Sequence, residues 1–243
     1  WTSSDSGKTW TEVIVGDGTN DWRSITSSAD GAKLSALTWS GSQGIWKSND
    51  SGATWTQDSS TSIQGTGITS SADGSKVVAV AWLGSIWTKL VSSTGLYAHD
   101  WRENIVPGFA NSWNAITSSS DGTKLVAAIY NGYMWRSIDS GATWTQVSSL
   151  QLSTATWRGV TSSDDGTKVA GVVQNGKIWI SSDSGVNWNS VTGDNKVWRD
   201  ITMSPDGTKL AATEGGTGNI WISTDSGVNW TSLSTPGTRR WET

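Results

Sequence analysis

The chain has 243 residues, 17 Lys and Arg against 21 Asp and Glu, a formal net charge of −4, no cysteine and a single histidine, His99. That composition excludes disulfides, thiol nucleophiles, a His/Cys zinc site and a triad drawing on several histidines. Lys and Arg are scattered along the repeats instead of clustered in a run, which leaves no footprint for nucleic acid, and no apolar run is long enough to span a bilayer, so a soluble chain is expected.

No Met precedes Trp1 and no signal-like segment follows it, so the start reads as that of a processed product or an excised piece. The phrase Ser-x-Asp-x-Gly-x-x-Trp then occurs five times. Its key residues are Ser3, Asp5, Gly7 and Trp10; Ser48, Asp50, Gly52 and Trp55; Ser137, Asp139, Gly141 and Trp144; Ser181, Asp183, Gly185 and Trp188; and Ser223, Asp225, Gly227 and Trp230. The spacing predicts a hairpin. The Asp accepts from backbone N–H groups a residue or two ahead, the Gly takes a positive φ, and the Trp folds under the turn from the returning strand. All four positions are therefore structural. The segment GDGTND, 16–21, has calcium-loop residues without the downstream Glu of an EF-hand and reads as a solvated turn. No metal and no cofactor is expected.

A second element, Ile-Thr-Ser-Ser-x-Asp-Gly-x-Lys-Leu, starts at Ile25, Ile68, Ile116, Val160 and, varied, Ile201, its Asp-Gly pair marking a tight turn between two β-rich runs. A third run carries an apolar residue before Trp46, Trp87, Trp135, Trp179 and Trp221. Each unit thus supplies four strands, A to D, in the first unit near 22–28, 33–39, 44–48 and 54–57. Tryptophans of strand C at 1, 46, 87, 135, 179 and 221 recur every 41 to 48 residues, a period that fits four-stranded propeller blades; no sustained 3.6-residue period is present.

The five phrases resemble the Asp-box, or BNR, repeat of β-propellers such as those of sialidases, sortilin-type receptors and several lectins. The resemblance implies an all-β propeller in a single domain, 1–243. Its blades are expected near 22–57, 66–104, 113–147, 157–190 and 198–233, with a sixth, closing blade shared by 1–13 and 238–243. A five-bladed ring is the alternative. The third C-to-D segment, 88–101, lacks the Asp and carries His99, which reads as a loop residue.

The A-to-B and C-to-D turns occupy one face of such a ring, and the variable loops the other, the usual seat of recognition. Strand A opens on that second face with Trp22 and Arg23, Trp113 and Asn114, Trp157 and Arg158, and Trp198 and Arg199, while Trp39, Trp82 and Tyr130 end B strands there. An aromatic face beside a guanidinium suits a sugar ring. The same Trp residues would equally plug the gaps between blades. Both readings stand at this level.

The function expected from these residues is a non-catalytic extracellular propeller recognising glycans or glycoproteins at several lectin-like sites, with weak sites combining by avidity. The alternative is a structural or adhesive module contacting other protein modules. A sialidase-like glycosidase ranks third. That chemistry, as the resemblance implies it, needs an arginine triad with a first Arg-Ile-Pro, a Tyr–Glu nucleophile pair and an acid/base Asp. The prolines are Pro107, Pro205 and Pro236, none in that motif, and Tyr97, Tyr130 and Tyr133 have no evident Glu partner.

Overall fold

In each Ser-x-Asp-x-Gly-x-x-Trp turn the Ser hydroxyl donates to the Asp carboxylate at 2.8 Å and accepts the Gly N–H at 2.8–2.9 Å. The Asp takes its main backbone N–H from four residues ahead, at Thr9, Thr54, Thr143, Asn187 and Asn229. That is farther than the one or two residues expected from the spacing, because the Ser occupies the nearer Gly donor. The reversal uses two left-handed residues in succession, such as Ser6 at φ 59° and Gly7 at φ 83°. The Trp indole N–H closes the turn on the Gly carbonyl at 2.9–3.1 Å.

The computed structural model describes residues 1–39, 44–58, 63–82, 84–90, 101–106, 112–149, 155–191, 193, 195–216 and 218–233. The expected 238–243 share of a closing blade, His99, Tyr97, Pro107 and Pro236 lie outside them. Among the described residues five antiparallel four-strand units follow one another, the first three as separate sheets and the last two joined edge to edge into one eight-stranded sheet. The first is β1 (Trp22–Ser27), β2 (Leu34–Thr38), β3 (Ile45–Ser48) and β4 (Thr56–Asp58), and the second β5 (Gly65–Ser70), β6 (Lys76–Ala81), β7 (Ile86–Leu90) and β8 (Arg102–Asn104). The third is β9 (Trp113–Ser118), β10 (Leu125–Ile129), β11 (Met134–Ser137) and β12 (Thr145–Gln146). The fourth is β13 (Trp157–Ser162), β14 (Val169–Gly176), β15 (Ile178–Ser181) and β16 (Asn189–Ser190), and the fifth β17 (Lys196–Met203), β18 (Leu210–Glu214), β19 (Ile220–Ser223) and β20 (Thr231–Leu233). No helix among the described residues is long and apolar enough to cross a membrane.

The first strands of successive units, β1, β5, β9, β13 and β17, lie side by side around the axis, which makes this a β-propeller with strand A innermost. Residues 1–11 form one further C-to-D hairpin, held by the Thr2–Thr11 bridge.

Blades are joined by a repeated joint. The apolar residue at the middle of strand A is buried at Ile68, Ile116, Val160 and Ile201, each against the B strand of the preceding blade, as Val160 packs on Val126 and Ala128 and Ile201 on Ala170 and Val172. The A-to-B turns pass backbone bonds round the ring, from Ala29 N–H to Ala72 O, Ala72 to Ser120, Ser120 to Asp164, and Asp164 to Pro205, at 2.6–2.8 Å. The repeat lysine adds a second link, Lys33, Lys76, Lys124 and Lys168 each donating to the turn carbonyl of the next blade. This gives the Lys of the second motif a role that its sequence spacing did not announce.

The turn carboxylates set an acid limit on stability. Side-chain hydrogen bonds from Thr9 and Thr54 hold the carboxyls of Asp5 and Asp50 at about 2, below their ordinary value of 3.8. Those from Ser71, Ser119, Ser163 and Ser204 do the same for Asp73, Asp121, Asp165 and Asp206. Depressed folded values mean stability that is complete above the unfolded value and lost as pH falls through the folded one. The urea midpoint is therefore expected to stay level above about pH 5 and to drop between about pH 4 and 2; a midpoint unchanged down to pH 2 would contradict the assignment.

Candidate functional site

Every inner strand breaks register with its neighbour near its start, between Trp22 and Ser24, Gly65 and Gly67, Trp157 and Gly159, and Trp198 and Asp200, with the matching break in blade three at Asn114. A β-bulge re-aims the side chain it carries. Here it turns Arg23, Thr66, Asn114, Arg158 and Arg199 toward the axis. Thr66, Asn114 and the three arginines are not equivalent, however. Thr66 donates to the Trp113 carbonyl and Asn114 to the Trp157 carbonyl, both at 2.8 Å, so these two clamp adjacent blades.

The bulges surround an axial cavity of about 500 Å³, lined by Arg23, Arg158, Arg199, Asp200, Trp39 and Trp82 among others. Trp39, Trp82 and Tyr130, half-buried at the ends of three successive B strands, form one tilted aromatic strip with ring centroids 6.0 and 5.6 Å apart. The strip has a cation at each end. Arg23 lies 4.8 Å over Trp39 and Arg158 lies 5.3 Å over Tyr130. Arg23 also reaches Asp21 at 3.7 Å. Arg158 donates through its Nε to Gln174 at 2.7 Å, and its second bond to the same oxygen is shorter. Burial, ahead of repulsion from Arg199, lowers the Arg158 pKa. The buried Nε of Arg199 has no partner among the described residues.

Asp200 is the only carboxylate in that lining. Asp200 is exposed along the open cavity, while the protein packed around that cavity partly desolvates it and so raises its pKa, against one backbone hydrogen bond from Ile201. Among the described residues no cation lies within ion-pair distance of it. Gly159 makes room for this carboxylate, since a Cβ there would stand 2.5 Å from Asp200 Oδ1 and 3.1 Å from the Ile201 nitrogen. Gly159→Ala is expected to cost about 1–3 kcal/mol by overpacking. Combining it with Asp200→Gly should recover part of that loss in a double-mutant denaturation cycle.

The sequence-predicted site divides. Trp22, Arg23, Trp39, Trp82, Tyr130, Arg158 and Arg199 are brought together at the cavity and its mouth. Trp113 and Trp157, both at 0% exposure, and Trp198 at 4%, are core residues closed against the preceding blade, which corrects their reading as ligand contacts. Their counterpart in blade two is Gly65, where Leu37 fills the space. Trp22 stays 41% exposed. Sequence reasoning missed Asp200, although its signal was present. The third position of strand A is small in the other blades, at Ser24, Gly67, Ala115 and Gly159, and acidic only here. Also missed was a cluster between the first two blades, where Lys47, Lys89 and the Trp101 indole all donate to one Asp58 oxygen at 2.6, 2.8 and 3.1 Å. Burial lowers the Lys47 pKa.

No protein-family model matches the chain, and no curated protein matches it. Solved structures do. An ancestral GH74 enzyme superposes with a TM-score of 0.69 at 16% identity, covering 92% of this chain and 32% of its own. The GH74 xyloglucanase from Xanthomonas campestris superposes with a TM-score of 0.67 at 13% identity, covering 91% of this chain and 40% of its own.

The shared fold is a β-propeller.

The chain spans between a third and two-fifths of the length of these enzymes, and at such identities the likeness is one of fold. It does correct the expectation of a non-catalytic, lectin-like binding propeller. That expectation leaned on the lack of sialidase residues, whereas the structures that share this fold are glycoside hydrolases of another family.

Proposed function

We propose that the chain is the propeller of a glycoside hydrolase acting on a β-linked polysaccharide of the xyloglucan class, and that its five Ser-x-Asp-x-Gly-x-x-Trp turns are Asp-box repeats. Asp200 carries the reading. It is a carboxylate exposed to an arginine- and aromatic-lined cavity, and the protein packed around it favours its protonated form. Such a group suits a general acid. The Trp39–Trp82–Tyr130 strip supplies faces on which sugar C–H groups stack, and Arg23 and Arg199 supply donors for hydroxyls.

Glycoside hydrolysis needs a second carboxylate in a different environment. The reading assigns it to Asp21, exposed and paired with Arg23 of the cavity lining. The Asp200 proton passes to the glycosidic oxygen as the C–O bond breaks. The Asp21 carboxylate takes a proton from the water that adds to the anomeric carbon. A polymer of this size does not enter cells, which supports an extracellular location, and the greater length of the GH74 enzymes supports a further protein module as partner. Incubation with xyloglucan and release of reducing ends tests the proposal. Polymer left intact by the wild-type chain would overturn it.

A further inference from the structure

Three arginines line the axial cavity, and the fold draws two of them together. The B strand of the fourth blade pairs beyond its own sheet with the A strand of the fifth, Gln174 with Val197 and Gly176 with Lys196. Among the described residues no other two blades are joined in this way. The junction fixes Gln174, whose N–H also donates to the Thr156 carbonyl at 2.9 Å. Gln174 in turn holds Arg158, which gives its Nε and one Nη2 hydrogen to the side-chain oxygen. Arg199 follows Val197 by two residues on the other strand of the junction. Gly215 gives it room, because a Cβ there would lie 2.5 Å from its Nε and 3.0 Å from its Cγ.

Two guanidiniums so placed repel each other. Burial disfavours the Arg158 cation first, and Arg199 disfavours it further. A half-buried cation is ordinarily answered by a carboxylate. Arg23 has Asp21 at 3.7 Å, but among the described residues neither Arg158 nor Arg199 forms an ion pair. The Nε of Arg199 lacks even a hydrogen-bond partner there. Three cations thus share one cavity with the single carboxylate of Asp200, which pairs with none of them.

We infer that the junction of the fourth and fifth blades is an oxyanion site, taking a carboxylate between Arg158 and Arg199 that is either borne by a sugar or free in solution. The donors fit such a group. Gln174 occupies one edge of the Arg158 guanidinium, and the other edge, Nη1 with the second Nη2 hydrogen, presents two parallel N–H groups that match the two oxygens of a carboxylate. Arg199 adds a second positive charge, and an anion between the two replaces their repulsion by attraction. The cavity, at about 500 Å³, lies in the range of roughly 300–1,000 Å³ that small ligands occupy. Trp39 and Trp82 in the same lining offer faces to the ring of an acidic sugar. The site does not depend on hydrolysis and is measured without turnover, so polysaccharide cleavage with a silent oxyanion site, or the reverse, tells the two readings apart.

Calorimetric titration of the chain in a low-chloride buffer with sodium glucuronate, sodium acetate and glucose tests the inference. Glucuronate is expected to bind saturably, one to one, and to raise Tm, while glucose at the same concentrations does neither. Acetate that displaces glucuronate with equal affinity assigns the site to free carboxylates, and weaker acetate assigns it to the acidic sugar. Arg199→Gln should weaken glucuronate by about tenfold or more. Without ligand that variant should be at least as stable as the wild type, since a repelling charge is gone, so its lost binding is not lost folding. Lys8→Gln makes the same charge change on an exposed side chain and should bind as the wild type does. Asp200→Asn removes a like charge from beside the ligand and should bind at least as tightly. Lack of saturable binding by glucuronate and acetate, an equal response to glucose, binding unchanged in Arg199→Gln, or equal weakening in Lys8→Gln would each overturn it.

Discussion

Trp113→Ala and Trp157→Ala are each expected to lower the free energy of unfolding by about 3–5 kcal/mol, a large share of the stability of an ordinary domain. Both rings are completely buried. Trp113 packs among Val80, Ile86 and Ile129, and Trp157 among Val126, Ala128 and Met134, so truncation opens a cavity at a joint between blades. Each also loses an indole hydrogen bond, to the carbonyls of Gly84 and Gly132, which then remain without that donor. Trp10→Ala is the control. Its ring closes a Ser-x-Asp-x-Gly-x-x-Trp turn instead of a joint between blades and is 57% exposed, and its loss should cost less than about 1 kcal/mol. Denaturant titrations of the three variants check the order. Equal losses would show that the joints between blades do not carry the stability.

Asp200→Asn is expected to reduce kcat on xyloglucan by about 100- to 10,000-fold, the range for a lost general acid, with KM little changed. The amide matches the carboxyl in shape, so the aromatic strip and arginines stay in place. It has no proton to deliver. In the wild type the required form is the protonated one, and burial raises the pKa of Asp200; activity should therefore fall as pH rises through that value, and this limb should vanish from the residual activity of the variant. Stability moves the other way. Ionised Asp200 is only partly solvated in the cavity and has no cation in ion-pair reach among the described residues, so the neutral amide should be at least as stable at pH 7. A variant with full activity and an unchanged pH profile would remove Asp200 from the chemistry.

The strands were legible because their signals are local. Asp-Gly turns, Ser-x-Asp-x-Gly-x-x-Trp turns and apolar-Trp runs placed four strands per unit, and the first unit of the structure, β1 to β4, falls within a residue or two of the ranges read from the sequence. The candidate site was legible only in part. Trp39, Trp82 and Tyr130 have nothing in common as a local motif beyond ending a B strand, and they become one strip only when three blades stand side by side. The Trp-polar pairs were visible, but not which member faces the axis. The bulge decides that, sending Trp113, Trp157 and Trp198 into the joints and Arg158 and Arg199 into the cavity.

The amino-acid sequence by itself determined the repeat, the turns and the all-β class, since these depend on φ preferences and hydrogen bonds within about ten residues. Only the tertiary structure decided which aromatic rings are core, that Asp200 faces the axial cavity, and that Ile25 is exposed. Burial is a property of the neighbours that the ring brings together. Two chemically identical positions, Ile25 and Ile116, end up at 62% and 9% exposure because, among the described residues, Ile116 packs on Val78 and Val80 of the preceding blade while Ile25 does not join a buried cluster.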